Sequence, residues 1–236
     1  MFLKRFVFLI AVVTVLFSFY SLSFASEEGI SFGNLPDTNP IKNEPFLQHN
    51  EQVQNLILYP SGPFDSKAAL GIAYSISKLP PTLLQKLNHR HVKVKIFTGP
   101  LTDNRTARHL KGVIPRGYEQ KNHTWDDVPG LGGSRLVLVK NGASERGKGH
   151  GSERLELHEV AHSIDSIVYE NISSGAQFTK LWQQEAPLLF PDQTYFINYP
   201  EEYFAETFAL YYANPWSKKL LRTKAPETYA FIAGLR

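Results

Sequence analysis

Leu157-His158-Glu159-Val160-Ala161-His162-Ser163-Ile164-Asp165 sets the architecture expected of the rest of the chain. Residues four apart share one face of an α-helix, so His158 and His162 offer two imidazoles to a single point. His-Glu-x-x-His on a helix is a zinc-binding pattern in which the glutamate serves as general base. A catalytic zinc keeps three protein ligands and leaves the fourth position for water. Glu159, one residue on from His158, is turned towards that water. Two ligands and a base thus come from little more than one helical turn.

Working outward, residues 1–25 have the features of a secretory signal peptide: Lys4 and Arg5, an apolar run from Phe6 to Tyr20, and small residues at Ser23-Phe24-Ala25. A retained membrane anchor is the alternative, since the run is only slightly shorter than the roughly 18–20 residues that span a bilayer. The mature chain is expected to be secreted, with no membrane contact after cleavage. Removing Lys4 and Arg5 takes the formal charge from +3 to +1, because the segment contains no acid. Near neutrality gives no reason to expect nucleic acid as a partner. The chain has no cysteine, so no disulfide supports it and a zinc site must use His and carboxylate.

Residues 26–50 are polar and turn-rich, with apolar residues at no regular period, and read as a flexible leader. Residues 51–236 are expected to form one catalytic domain. A helix capped by Ser66 should end at Pro80-Pro81, and a second should run on from Pro81. His91–Phe97 alternates basic and apolar residues, the mark of a half-buried strand with solvated lysines, and Arg135–Lys140 is a more buried strand. Between them, Tyr118–Gly133 reads as a turn, since no helix start follows its glycines. The glycine-rich residues 141–152 are a candidate wall or lid of a cleft. The zinc helix is expected over Ser152–Tyr169, followed by helices over Gly175–Glu185 and from Glu201 to Tyr212, then one or two more near Pro226.

A third ligand must come from elsewhere. Asp165 and Val168 stand where the metzincin pattern requires Gly and His, which excludes that class. A Glu from a later helix is the other common solution, and Glu201, Glu202 and Glu206 are the candidates, the last two sharing a face. A ligating His usually donates its other ring N–H to a carboxylate. Asp165, three residues after His162, and Glu206 are the candidates for that role.

These residues resemble the anthrax lethal factor-like metalloproteases, and among them the secreted Pro-Pro endopeptidases. The likeness rests on Gly149-His150-Gly151 before the zinc motif, Tyr195 seven residues before Glu202, and Glu202-Tyr203-Phe204-Ala205-Glu206-Thr207-Phe208. It continues in Thr124-Trp125-Asp126-Asp127-Val128-Pro129-Gly130 and Ala225–Ile232, covering most of Val53–Arg236. The resemblance implies one Zn²⁺ per chain held by His158, His162 and Glu202, with Glu159 as base and Tyr195 stabilising the oxyanion. It further implies that Trp125 packs on substrate prolines and that Glu201 and His123 line the same groove, although a lysine is the family's residue where His123 stands. The implied fold is an α+β zincin, a small sheet packed with several helices and a zinc helix crossing the cleft. The implied substrate is a proline-rich peptide or protein. Two rivals remain: a lethal factor-like protease of other sequence specificity, and a non-catalytic binding module stabilised by zinc.

Overall fold

The computed structural model describes residues 29–117 and 123–236. The signal-peptide segment lies outside the described residues, as do residues 118–122 of the expected turn.

Five strands form one sheet: β1 (Ile30–Ser31), β2 (Ile57–Tyr59), β3 (Lys93–Phe97), β4 (Gly130–Leu131) and β5 (Leu136–Lys140). Their order is β1-β2-β3-β5-β4. β3 is central and parallel to both neighbours, with Val94 opposite Ile57 and Val137, while β1 and β4 are antiparallel edges. Parallel strands are normally covered on both faces. Val94, Ile96, Val137 and Val139 face the main core. Phe97, Leu136 and Leu138 face a smaller cluster formed with Leu101, Ala107 and partly buried Trp125. Lys95 shares that second face, opposite Leu138. Expected to be solvated, it is only 6% exposed, because the segment after β3 folds across it.

The flexible leader is also corrected. Residues 29–50 supply β1 and a short helix α1 (Pro45–Gln48), and Leu35, Ile41 and Leu47 are buried in the main core. Asn39 caps its 3₁₀ turn by accepting from the Ile41 N–H, and Asn50 starts α2 (Glu51–Leu56) by accepting from the Val53 N–H. Single apolar anchors in an irregular path carry no period, so pattern reading passes over them.

α3 (Ser66–Ser77) and α4 (Pro81–His89) follow. Asp65, not Ser66, caps α3, accepting from the N–H groups of Lys67 and Ala68. The zinc-motif helix α5 (Leu155–Ser163) is shorter than expected and passes into a π turn over Ile164–Val168. α6 (Ala176–Leu189) continues through Pro187, and α7 (Thr194–Asn198) carries Tyr195. α8 (Pro200–Ala213), α9 (Pro215–Lys224) and α10 (Pro226–Ala233) each begin with proline, which gives up no helical hydrogen bond at that position. α8 is buried nearly all round: Tyr203, Phe204 and Phe208 are inaccessible, and Phe178 meets Phe204 edge-on at 5.4 Å. A helix buried on nearly all sides belongs inside a core, and its carboxylates there need partners. That burial presses α8 against α5 and brings Glu202 and Glu206 to His158. Among the described residues, no helix is long and apolar enough to cross a membrane.

Candidate active site

Three donor atoms meet where α5 faces α8. His158 Nε2 lies 3.2 Å from His162 Nε2. Glu202 Oε2 is 3.3 Å from the first and 3.4 Å from the second. Tetrahedral zinc with bonds of about 2.0–2.1 Å to nitrogen and oxygen holds its donors about 3.3 Å apart. The triangle therefore fits zinc in both spacing and donor chemistry. Burial works against charge on Glu202, but the two imidazoles outweigh it and hold its carboxyl well below the usual range. Burial likewise opposes a proton on His158, yet hydrogen bonds to Glu202 and Glu206 push its pKa up to about 10.

Glu206 Oε2 sits 3.2 Å from His158 Nδ1. When Nδ1 donates there, Nε2 keeps its lone pair for a metal. The other oxygen of Glu206 accepts from the Glu153 N–H at 3.0 Å and from Arg146 Nη2 at 3.4 Å. Asp165 does not take the equivalent part. Its carboxylate accepts from the Ser173 N–H at 2.8 Å and hydroxyl at 2.7 Å, fastening the turn after α5. The expectation assumed one continuous α-helix, and the π turn ends the α-helical phase before Asp165.

Glu159 borders the same cleft, a volume of about 930 Å³. Burial raises its carboxyl pKa. Edge strand β4 packs directly on it: a Cβ at Gly130 would stand 2.6 Å from Glu159 Oε1, and one at Gly132 would stand 2.1 Å from the Glu159 carbonyl oxygen. Only glycine permits that approach.

Tyr195, on α7, lines the same cleft, with Arg116 5.9 Å from its ring centroid. Burial and the negative charge of Glu202 push its phenol above the ordinary range, so it remains a donor. Trp125 lines the cleft with part of its surface and packs on the smaller core with the rest. Glu201 is at the rim, 2.8 Å from Arg116 Nη2. His123 is not brought in: it stands outside the lining residues with Nδ1 3.6 Å from Asp127. Residues 141–152 form a stitched wall. Glu145 bridges to Arg154, the Gly147 N–H bonds the His150 carbonyl at 3.0 Å, and the His150 ring lies 2.6 Å from the Ala143 carbonyl.

A family model described as anthrax toxin lethal factor, N- and C-terminal domain, matches residues 42–235. The chain belongs to the anthrax lethal factor-like family. It is 40% identical over 188 residues to a Pro-Pro endopeptidase of Clostridioides difficile (strain 630), covering 80% of this chain and 84% of the relative. A Pro-Pro endopeptidase of Paenibacillus alvei is 37% identical over 188 residues, covering 80% of this chain and 86% of the relative. The solved structure of the Pro-Pro endopeptidase from Paenibacillus alvei superposes with a TM-score of 0.74 at 36% identity, covering 79% of this chain and all of that one. This lethal factor-like protein is a metalloendopeptidase with the α+β zincin-like fold expected from its sequence. The family match begins before residue 51, in keeping with the packed segment that precedes α2.

Sequence reading missed several residues of this lethal factor-like site. Gly130 and Gly132 were legible in principle, since glycines two apart beside a strand mark close backbone approach. Arg116 and Arg146 were not, because nothing local ties a lone arginine to a carboxylate some 60 to 85 positions later.

Proposed function

We propose that this protein is a secreted zinc endopeptidase that hydrolyses the bond between two prolines in extracellular or cell-surface proteins. The observation that carries the reading is the triangle of His158, His162 and Glu202 with Glu159 and Tyr195 on the same cleft. When bound, zinc supplies Lewis acidity that polarises a carbonyl and makes water acidic enough to yield a nucleophile near neutral pH.

The chain's own groups do the remaining work. Glu159 takes a proton from the attacking water and returns it to the leaving nitrogen. In a bond before proline that nitrogen carries no hydrogen, so it must be given one to leave as an amine. Tyr195 donates its phenolic hydrogen to the carbonyl oxygen as negative charge develops there. Glu206 fixes His158 in the tautomer that leaves Nε2 free. Trp125 offers a flat, rigid face to the proline rings, which cannot donate N–H bonds to the β4 edge as an ordinary extended peptide would. The names of the two relatives support the Pro-Pro assignment.

A pair of peptides differing only in Pro-Pro against Ala-Ala at the scissile position tests this. Cleavage between the prolines, with the Ala-Ala peptide left intact, is expected by mass spectrometry. Equal cutting of both would remove the Pro-Pro specificity and leave a general endopeptidase. Trp125→Ala should lose most cleavage while retaining zinc.

A further inference from the structure

We propose that Arg116 is a positioning residue for this reaction, holding the second oxygen of Glu202 and the ring of Tyr195 in place together. The proposal rests on the zinc-peptidase reading above.

Arg116 sits on the segment before residue 117, against the start of α8 and Tyr199 just before it. Its Nη2 lies 2.8 Å from Glu201 Oε1 and 3.2 Å from Glu202 Oε1. The guanidinium lies 3.7 Å from the centroid of the Tyr199 ring and 5.9 Å from that of Tyr195. Its charge also acts on the Tyr195 phenol. Gly117 seats the same ring: at its φ of +84° a side chain is strained, and a Cβ there would come within 3.0 Å of Tyr195 Cε2.

The two oxygens of Glu202 thus have different tasks. Oε2 completes the donor triangle with His158 and His162, while Oε1 is turned to Arg116. A carboxylate free to bring both oxygens to a metal would fill the position that a catalytic site leaves open. Engaging Oε1 keeps Glu202 a one-oxygen ligand. The guanidinium and Gly117 together seat the Tyr195 ring beside Glu202. Its phenol is therefore held at the site before a peptide arrives, with its hydrogen available to the carbonyl oxygen.

Stability does not account for the arrangement. The Arg116 side chain is 46% exposed, and an ion pair that open contributes little to folding. Lysine would not substitute. Its ammonium is a compact, strongly hydrated point charge, whereas the planar guanidinium stacks on Tyr199 while donating to Glu201 and Glu202.

The test uses Arg116→Gln, Arg116→Lys, Tyr195→Phe and the double variant Arg116→Gln/Tyr195→Phe. Zinc affinity is measured by chelator competition, kcat and KM on a Pro-Pro peptide at saturating zinc, and folding by thermal melting. Arg116→Gln should bind zinc about 10–100-fold more weakly and lose about 10–100-fold in kcat, with the melting temperature unchanged. Arg116→Lys should recover neither property fully. The kcat losses of Arg116→Gln and Tyr195→Phe should fall well short of multiplying in the double variant, because the arginine acts through the tyrosine. Wild-type zinc affinity in Arg116→Gln, full recovery by Arg116→Lys, or independent multiplying losses would each overturn the proposal. A wild-type protein that bound no zinc or cut no peptide would instead overturn the functional reading on which it rests.

Discussion

Replacing Glu206 by glutamine changes one oxygen to an NH₂ group at a position with no solvent access. The consequence follows from its partners. Oε1 receives two donors, the Glu153 N–H at 3.0 Å and Arg146 Nη2 at 3.4 Å, whereas Oε2 faces only His158 Nδ1 at 3.2 Å. The glutamine carbonyl is therefore expected to stay with the two donors, turning its NH₂ towards Nδ1. A neutral His158 would then accept at Nδ1 and carry its hydrogen on Nε2, the atom 3.3 Å from Glu202 Oε2 that is needed for metal. Recovering the ligating tautomer would set two donors against each other in a buried site. Loss of the outer carboxylate on a ligating histidine typically weakens metal binding about 10–100-fold, equivalent to about 1.4–2.7 kcal/mol. Zinc titration against a competing chelator measures it, with circular dichroism to show that the fold is kept. A Glu206→Gln protein whose zinc affinity lies within about twofold of wild type would refute the reasoning, because the carboxylate would then not set the tautomer.

Tyr195→Phe should retain zinc and lower kcat by about 10²–10³-fold, the usual scale for removing one oxyanion donor; unchanged turnover in a stopped assay would take Tyr195 out of the chemistry. Gly132→Ala places a Cβ 2.1 Å from the Glu159 carbonyl oxygen, so backbone must move. Its melting temperature and kcat should both fall, and a fully active, equally stable variant would contradict the packing of β4 on α5. Hydrogen bonds from Thr102, Gly112 and Thr124 hold the Asp126 carboxyl down at about 2. A depressed pKa contributes stability above the unfolded value of about 3.9, and this is lost as pH falls through about 2. Asp126→Asn should accordingly melt below wild type at pH 7, with the difference shrinking between about pH 4 and 2; a constant difference across that window would sink the assignment.

How far the sequence carried the account depends on whether a residue's partner lies within its own element. His158, Glu159 and His162 were legible because one helical turn relates them. Glu202 and Glu206 were legible on the same ground, as carboxylates four apart just after Pro200, and the family resemblance selected the ligand between them. Asp165 was misjudged because a spacing rule holds only while the helix keeps its pitch, and the π turn begins at Ile164. Lys95 was misjudged because alternation reports one buried face, and the cover on the other comes from Leu101, Ala107 and Trp125 further along the chain. β4 was too short to leave a period, having two residues, one of them glycine. Arg116 reaches Glu202 across 86 positions, a pairing fixed only once α8 packs against α5.

The central claim is that Glu159 acts as base without being a ligand, since the triangle is complete without it. Its most direct test measures zinc content and Pro-Pro peptide cleavage on the same purified sample of Glu159→Ala. One zinc per chain with cleavage abolished is the predicted result. Undiminished cleavage would contradict the mechanism, and loss of zinc together with activity would show that Glu159 holds the metal after all.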